Sequence, residues 1–211
     1  MTENNEESDT IEIEKVIFQD KWSFWENYES KDKSKVLDYS QLLKDICDFD
    51  NIILFYQFWN LYPGKEPSKI FTDNESIKYF FKEGYRIIAM NLFKFGIKPE
   101  WEDENNKNGH IFNLDFFVDG SKGKNEFDEF FNKAAKNWEK IMLSLIGGTL
   151  FNAQYVNGIR FVDKCLMTTK KKFQFRFEIW CNSKISENEI LESKKNYSET
   201  FGCPGINIKH I

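Results

Sequence analysis

The sequence predicts an α+β fold, in which a single antiparallel β-sheet carries about three helices on one face. Three observations support this prediction: short segments alternate apolar and polar residues, only three segments show helical spacing, and these three are separated along the chain. No internal repeat or second domain interrupts the 211 residues. Residues 41–49 fit either a strand or a short helix. We predict strands at 21–28, 86–93, 111–118, 156–164, 172–180 and 206–211, and helices at 51–61, 126–146 and 186–200.

The segment 172–180 has the clearest strand pattern. One parity is apolar and predicts contact with a core: Phe173, Phe175, Phe177 and Ile179. The other parity predicts an exposed sheet face: Gln174, Arg176, Glu178 and Trp180. An Arg beside a Trp on an open face suits a nucleotide, because the ring can stack on a base and the cation can bind phosphate. The pair fits equally a surface Trp packed by a loop and a solvated Arg.

Two of the helical segments differ in their apolar pattern. The segment 51–61 is apolar on every side, so it is either buried or presents a hydrophobic face to a partner. Asp50 is its predicted N-cap. The segment 126–146 has one apolar stripe and ends at a Gly-Gly pair. That stripe consists of Phe127, Phe130, Phe131, Ala134, Trp138, Ile141 and Leu145.

Composition and motifs exclude several classes of function. The formal net charge is −5 and the isoelectric point about 5.3, whereas a protein that coats a nucleic-acid backbone is usually basic. Any nucleic-acid role must therefore use a small local site. The four cysteines are widely spaced and only two histidines occur, so we predict no metal site. The chain has no phosphate-binding glycine loop, nucleophile elbow or zinc-protease motif, so we expect no enzymatic activity and no cofactor.

The start of the chain and its hydropathy lead to expectations about its location. Residues 1–15 are polar and acidic, and we predict a disordered tail before a domain at 16–211. The start of the chain has no apolar signal segment, and no apolar run reaches the length of a membrane span. We therefore expect a monomeric protein with reduced thiols, located in the cytoplasm or also in the nucleus.

Trp101 is the most unusual aromatic residue, because it lies in the polar loop 96–109 among acidic neighbours. A guanine base presents two donors on its Watson–Crick edge, and one carboxylate such as Glu102 can accept both. Methylation at N7 makes the base cationic, which adds a cation–π attraction to aromatic stacking. The alternative is a Trp that anchors the loop to the core. Likewise, Lys164 and Arg176 fit either contact with a phosphate chain or two solvated strand residues.

Five segments resemble the eukaryotic translation initiation factor 4E family. The order of the matches agrees from about Trp22 to the end of the chain, and the stretch GIKPEWEDENNKNG is the most specific of them. The segments are WSFW (22–25), DKSK (32–35), LFKFGIKPEWEDENNKNG (92–109), LSLIGG (143–148) and FEIW (177–180).

This resemblance implies a sheet shaped like a cupped hand, with helices on its convex face and a messenger-RNA 5′ cap on its concave face. Trp101 would stack on 7-methylguanine and Glu102 would read its donors, while Trp180 would touch the N7-methyl group. The match places Arg176 and Lys164 at the phosphate-contacting positions. Tyr39 is the best match for the second stacking ring, where the family usually has Trp, so a lower cap affinity or an altered selectivity is implied. The alternative for Tyr39 is a strand residue packed on the core.

The resemblance also implies a partner site on the convex face, where the family binds an amphipathic helix from an initiation factor 4G-like scaffold or a 4E-binding-protein-like repressor. Tyr56 stands at a usual Trp position and Lys140 at a usual acidic one, and residues 64–85 resemble an insertion. The implied partner-binding residues are Ile52, Tyr56, Lys140, Leu143 and Gly147.

The function expected from the sequence is therefore cap binding in translation initiation, with recruitment of a scaffold. Two alternatives are a cap-binding repressor, or variant of altered cap selectivity, and an interaction module of this fold with little cap affinity.

Overall fold

The computed structural model describes residues 16–30, 32, 38–71, 84–119, 121–164 and 172–211. The predicted acidic tail at 1–15 lies outside these residues. So does the middle of the predicted insertion at 64–85, and the insertion therefore stays a prediction.

Seven strands form one curved, fully antiparallel sheet, which confirms the predicted fold class. Their order across the sheet is β2-β1-β3-β5-β6-β4-β7. The strands are β1 (Ile17–Ser30), β2 (Leu43–Asn51), β3 (Tyr85–Lys94), β4 (His110–Asp119), β5 (Val156–Asp163), β6 (Lys172–Cys181) and β7 (Asn207–His210).

Within the described ranges, three long helices occur where the sequence predicts them, together with two α-helices of a single turn and two short 3-10 turns. Residues 41–49 contain both of the structures that we considered, since the end of one short helix leads directly into β2. The helices are α1 (Tyr39–Leu42), α2 (Ile52–Leu61), α3 (Pro67–Ile70), α4 (Lys124–Ile146) and α5 (Glu187–Phe201).

The start of α2 differs by one residue from the prediction, because Asn51 and not Asp50 is the N-cap. Asn51 Oδ1 accepts hydrogen bonds from the backbone N–H groups of Ile53 (3.1 Å) and Leu54 (3.0 Å). The backbone of Asn51 is extended, with φ −146° and ψ 163°, because Asn51 is also the last residue of β2. The change from strand to helix therefore occurs at this residue, which also caps the helix.

The hydrophobic core lies between one face of the sheet and the three long helices. Phe175, Phe177 and Ile179 of β6 are buried there as predicted, whereas Phe173, at the start of the strand, is only half-buried. The Trp138 ring of α4 lies parallel to that of Phe177, with centroids 6.2 Å apart. Phe55 of α2 and Tyr197 of α5 are fully buried in the same cluster. We call the helix-covered face of the sheet the convex face and the opposite face the concave face.

Helix α2 buries only part of its apolar surface. Phe55 and Trp59 are buried, but Leu54 is 43% exposed and Tyr56 is 41% exposed. Of the two interpretations of this all-apolar helix, the structure supports a hydrophobic face that is open to solvent.

Within the described residues, no helix is both long and apolar enough to cross a membrane. The same residues contain no group of three or more His, Cys, Asp or Glu side chains arranged to hold a metal ion. Cys47, Cys181 and Cys203 are free thiols, and Cys165 lies outside the described part of the chain.

A carboxyl group is buried inside the core at Glu26, whose residue is 0% exposed. The Tyr62 hydroxyl donates a 2.6 Å hydrogen bond to Glu26 Oε1, and the Tyr28 hydroxyl donates to Glu26 Oε2. Burial raises the pKa of Glu26 above its ordinary value of 4.5, and the two tyrosine hydrogen bonds only partly offset this effect. The raised pKa means that folding favours the protonated form of this acid.

We expect Glu26→Gln to be more stable than the unmodified chain at pH 8, because Gln removes the cost of burying a charge. Because the folded-state pKa of Glu26 is raised, the contribution of Glu26 to stability is greatest below about pH 4.5 and falls as pH rises through the folded pKa. The advantage of the variant should therefore shrink as pH falls toward 4.5. Urea denaturation at a series of pH values measures it, with the exposed Glu192→Gln as control; a gap that does not change with pH would contradict the expectation.

Candidate functional site

Strand pairing arranges the concave-face side chains in rows that cross the sheet. Residues directly opposite each other in neighbouring strands share a face, so each row can be followed from the register. The first row contains Phe93, Gly158, Trp180 and Ile111; the second contains Asn91, Arg160, Glu178 and Asn113; the third contains Val162, Arg176 and Asp115.

Trp180 lies on the predicted face, but the prediction that it is exposed is wrong, since the residue is 1% exposed. Its ring packs edge-on against Phe93 with centroids 5.6 Å apart, and a β-carbon at Gly158 would lie 2.2 Å from that Phe93 ring. Ile97 from the loop that follows β3 and Ile211 from the end of the chain pack against the same cluster. Trp180 is therefore a buried residue of the first row, and it packs in a cluster with residues that are distant in the sequence.

The loop at 96–109 is held by buried amides. Asn106 is 0% exposed, and its Nδ2 donates to the backbone carbonyls of Lys98 (2.8 Å) and Glu100 (2.9 Å). Asn157 of β5 donates in turn to Asn106 Oδ1 at 3.0 Å, which ties the loop to the sheet. The loop is thus shaped by polar contacts from inside, and the Trp ring is not needed as an anchor.

Trp101 is 53% exposed, which rules out its alternative role as a loop anchor. Lys209 of β7 places its Nζ 3.7 Å from the centroid of the Trp101 ring, a cation–π contact. The next residue, Glu102, is exposed, and no described residue bonds to its carboxylate. A half-exposed aromatic ring with a cation over one face and an unengaged carboxylate are therefore neighbours in the loop.

Tyr39 begins α1 and is not part of a strand, so its alternative role as a core-packed strand residue is wrong. The residue is 43% exposed, and its hydroxyl donates a 3.2 Å hydrogen bond to the backbone carbonyl of Pro99. This bond brings Tyr39 to the loop that carries Trp101. The structure thus places two exposed aromatic residues at the same loop.

Arg176 is paired within the protein and is not a free surface cation. Its Nε and Nη2 donate to the two carboxylate oxygens of Asp115 at 2.8 Å and 2.9 Å. The hydrogen bonds to Asp115 raise the pKa of Arg176, so the guanidinium is charged at every physiological pH.

Arg160 is a concave-face cation that the sequence reasoning missed. Its Nε donates to Asn91 Oδ1 at 2.7 Å, its Nη1 lies 3.1 Å from Glu178 Oε2, and its guanidinium carbon is 5.5 Å from the Trp180 ring. Two features of the sequence indicate such a role for Arg160. Arg occurs only three times in the chain, and Arg160 has the opposite strand parity from apolar Ile159.

Lys164 follows β5 and lies beside the third row. Its backbone N–H donates to Gln174 O at 3.0 Å, and its side chain is partly buried. Burial lowers the pKa of Lys164; nearby Glu178 counteracts this, while Arg176 adds to the lowering. The concave face therefore brings together Arg160, Lys164 and Arg176, of which the sequence predicted the last two.

The predicted partner-binding residues fall on the convex side, on α2 and at the end of α4. Trp59 Nε1 donates to Glu139 Oε1 at 3.0 Å, which places the two helices side by side. Tyr56 and Gly147 are exposed, and Ile52 and Leu143 are half-buried. Lys140 is instead turned to α5, where its Nζ donates to Thr200 O at 3.0 Å.

The curved sheet, the helices on one side and the charged open face on the other define a ligand-binding α+β domain. The chain belongs to the eukaryotic initiation factor 4E family, whose model matches residues 17–209. Initiation factor 4E of Candida albicans is 27% identical over 161 residues, which cover 76% of this chain and 61% of that protein. Initiation factor 4E-1 of Schizosaccharomyces pombe is 23% identical over 213 residues, covering 96% of this chain and 83% of the relative.

Solved structures of low sequence identity share the fold. Initiation factor 4E-3 of Ascaris suum, solved with an m7G cap, is 21% identical with a TM-score of 0.63, over 92% of this chain and 91% of that one. Initiation factor 4E-3 of Caenorhabditis elegans with the 4E-binding protein Mextli is 18% identical with a TM-score of 0.61, over 92% and 93%. A schistosome initiation factor 4E with m7GpppA and 4E-BP is 19% identical with a TM-score of 0.61, over 93% and 88%.

We expect Asn106→Ala to loosen the Trp101 loop, because it removes three buried hydrogen bonds that join the two ends of the loop to each other and to β5. Each lost hydrogen bond costs about 0.5–1.5 kcal/mol. Hydrogen–deuterium exchange should rise across residues 97–109 more than in β6. The matched control is Glu104→Gln, an exposed change in the same loop, and equal exchange in the two variants would contradict the expectation.

Proposed function

We propose that this chain binds the 7-methylguanosine 5′ cap of messenger RNA on its concave face and acts, without catalysis, in translation initiation. The observation that carries the proposal is the exposed Trp101 ring beside the unengaged Glu102 carboxylate, on a loop held from below by Asn106. Relatives in the family support it, since the Ascaris structure was solved with an m7G cap. The site of action in this proposal is the cytoplasm, and a nuclear pool is also compatible with it.

The base is recognised by charge and by shape in this proposal. Glu102 accepts hydrogen bonds from N1–H and the N2 amino group of guanine, and Trp101 stacks on the ring. The Trp101 face already holds the Lys209 ammonium at 3.7 Å, so a cation is electrostatically compatible with it. A 7-methylguanine carries its own positive charge and gains about 1–2 kcal/mol from the same attraction.

Tyr39 supplies the second ring of the clamp in this proposal. Its hydrogen bond to Pro99 O keeps it at the loop, and its 43% exposure leaves ring surface available. A Tyr face attracts cations less than a Trp face does, so we propose a clamp with one strong and one weaker side.

The phosphates lie along the second and third rows in this proposal. Arg160 and Arg176 supply two cations on these rows and Lys164 a third at their far end, and the carboxylates of Glu178 and Asp115 oppose them. Phosphate oxygens therefore compete with internal carboxylates for the same guanidinium groups, and the base carries a large share of the affinity.

We expect the chain to bind 7-methyl-GTP more tightly than GTP, with a loss of about tenfold or more in Glu102→Gln. Replacing a carboxylate that accepts two hydrogen bonds costs about 1.5–3 kcal/mol. Trp101→Ala should reduce affinity for the methylated ligand more than for GTP, because only the methylated base is cationic. Isothermal titration measures both effects.

The control for this titration is Glu104→Gln, a neutralised carboxylate in the same loop that is expected to leave the preference unchanged. Equal binding of the two ligands by the unmodified chain would refute cap recognition and favour the interaction module with little cap affinity.

We also propose that the convex face binds an amphipathic helix from a scaffold or repressor protein. The partly exposed apolar residues of α2 support this, and the schistosome relative was solved with 4E-BP. Since Lys140 is engaged with α5, we propose Tyr56, Ile52 and Leu143 as the residues that carry the contact, at the side of α4 that ends in Gly147.

We expect Tyr56→Ala to weaken binding of a fluorescent helical peptide from initiation factor 4G about tenfold, because the exposed ring is the largest apolar group of that surface. Fluorescence anisotropy measures this, with the exposed Leu191→Ala of α5 as the matched control. Equal losses in both variants would contradict the proposed site. Cap binding without any scaffold binding would favour the repressor alternative.

A further inference from the structure

We propose that the concave face continues past the phosphate-binding rows into a subsite for the first transcribed nucleotide, with Phe117 as its stacking platform. This inference rests on the proposed cap-binding function. It names a part of the messenger that nothing in the cap pocket itself contacts, namely the nucleotide joined to the far end of the triphosphate.

The side of the sheet on which Phe117 lies follows from the register of β4 and β6. Asp115 is opposite Arg176 and Phe117 is opposite Gln174, with no bulge between the two pairs. Gln174 Nε2 donates to Asp115 Oδ1 at 2.8 Å, a diagonal contact possible only on a shared face. Phe117 is therefore on the concave face, one row beyond the Asp115–Arg176 ion pair.

Phe117 is an exception among the aromatic residues of its strand. Phe112 is 0% exposed and Phe116 packs against the core, whereas Phe117 is 57% exposed. The nearest residues on the same face of the sheet are polar. The neighbouring strand β7 pairs with β4 only as far as Asn113. Within the described residues, no strand flanks that edge of β4 at Phe117, so a flat ring has access to it.

A cation lies at the opposite end of the same row. The hydrogen bond from Lys164 N to Gln174 O places Lys164 across from Gln174, so that the row contains Lys164, Gln174 and Phe117. An aromatic ring for a base and an ammonium for a phosphate are the two groups with which proteins bind single-stranded nucleic acid without reading its sequence. Because Gln174 is engaged with Asp115, we expect stacking to dominate and purines to bind better than pyrimidines.

The length of the face matches the length of the ligand. Gln174 is six residues along β6 from Trp180, a separation of about 20 Å at the rise of an extended strand. A guanosine on the first row, three phosphates along the second and third rows and a further nucleoside on the next row fill this distance in order.

The test is a titration of the full chain with 7-methyl-GTP and with the dinucleotide cap m7GpppA. We expect Phe117→Ala to weaken m7GpppA about five- to tenfold, the low end of the range for one lost base–aromatic stack, and 7-methyl-GTP by less than about twofold. Phe117→Tyr should keep the affinity for m7GpppA, and Leu191→Ala, another exposed apolar truncation, should change neither ligand.

Each other result has a defined meaning. Equal effects of Phe117→Ala on the two ligands, or no effect on either, would overturn the subsite while leaving cap recognition intact. Failure of the unmodified chain to prefer 7-methyl-GTP over GTP would overturn both proposals. A self-association in sedimentation experiments that Phe117→Ala abolishes would also overturn the subsite, because Phe117 would then belong to an interface between copies of the chain.

Discussion

Strands β4 and β6 are joined by ten consecutive antiparallel pairs, and this register determines which side chains lie on each face of the sheet. The register has no bulge, so the side-chain period of two residues assigns Phe175 to the core and Arg176 to the open face without ambiguity. A shift by one residue would bury a guanidinium against Trp138 and expose the aromatic core. The ion pair with Asp115 and the position of Trp180 both depend on this register, so the pairing of β4 with β6 also positions the charged groups of the concave face.

The fold class and the positions of several candidate site residues could be predicted because they depend on local patterns. Strand alternation identified the two faces of β6, and the acidic loop identified Trp101. The errors arose where distant segments decide the outcome. Trp180 is buried in a cluster with Phe93 and Ile111, against which Ile97 and Ile211 pack, and none of these contacts is visible in the pattern of β6. Arg160 is also held by Asn91 of β3, a strand that is distant from β5 in the sequence, and the pattern of β5 does not show this pairing.

The Trp101 loop illustrates how a protein keeps a large ring exposed at a fixed position. Buried amides, not apolar contacts, determine the shape of the loop, and Asn157 extends their network into the sheet. An apolar anchor would compete with the ligand for the ring, because the most apolar group in the loop is the ring itself. Because hydrogen bonds hold the loop instead, no such competition arises, and the Trp101 ring can stay exposed.

The paired charges of the concave face also affect how a ligand arrives. Arg160 and Arg176 each have a carboxylate partner within 3.1 Å, and the whole chain carries a net charge of −5. Such a surface exerts little long-range pull on an anion, so electrostatic steering contributes little to the rate of encounter. The rate of association is then expected to depend only weakly on salt. In the proposed function, differences in affinity between ligands then depend mainly on how slowly each ligand dissociates after its base has stacked on Trp101.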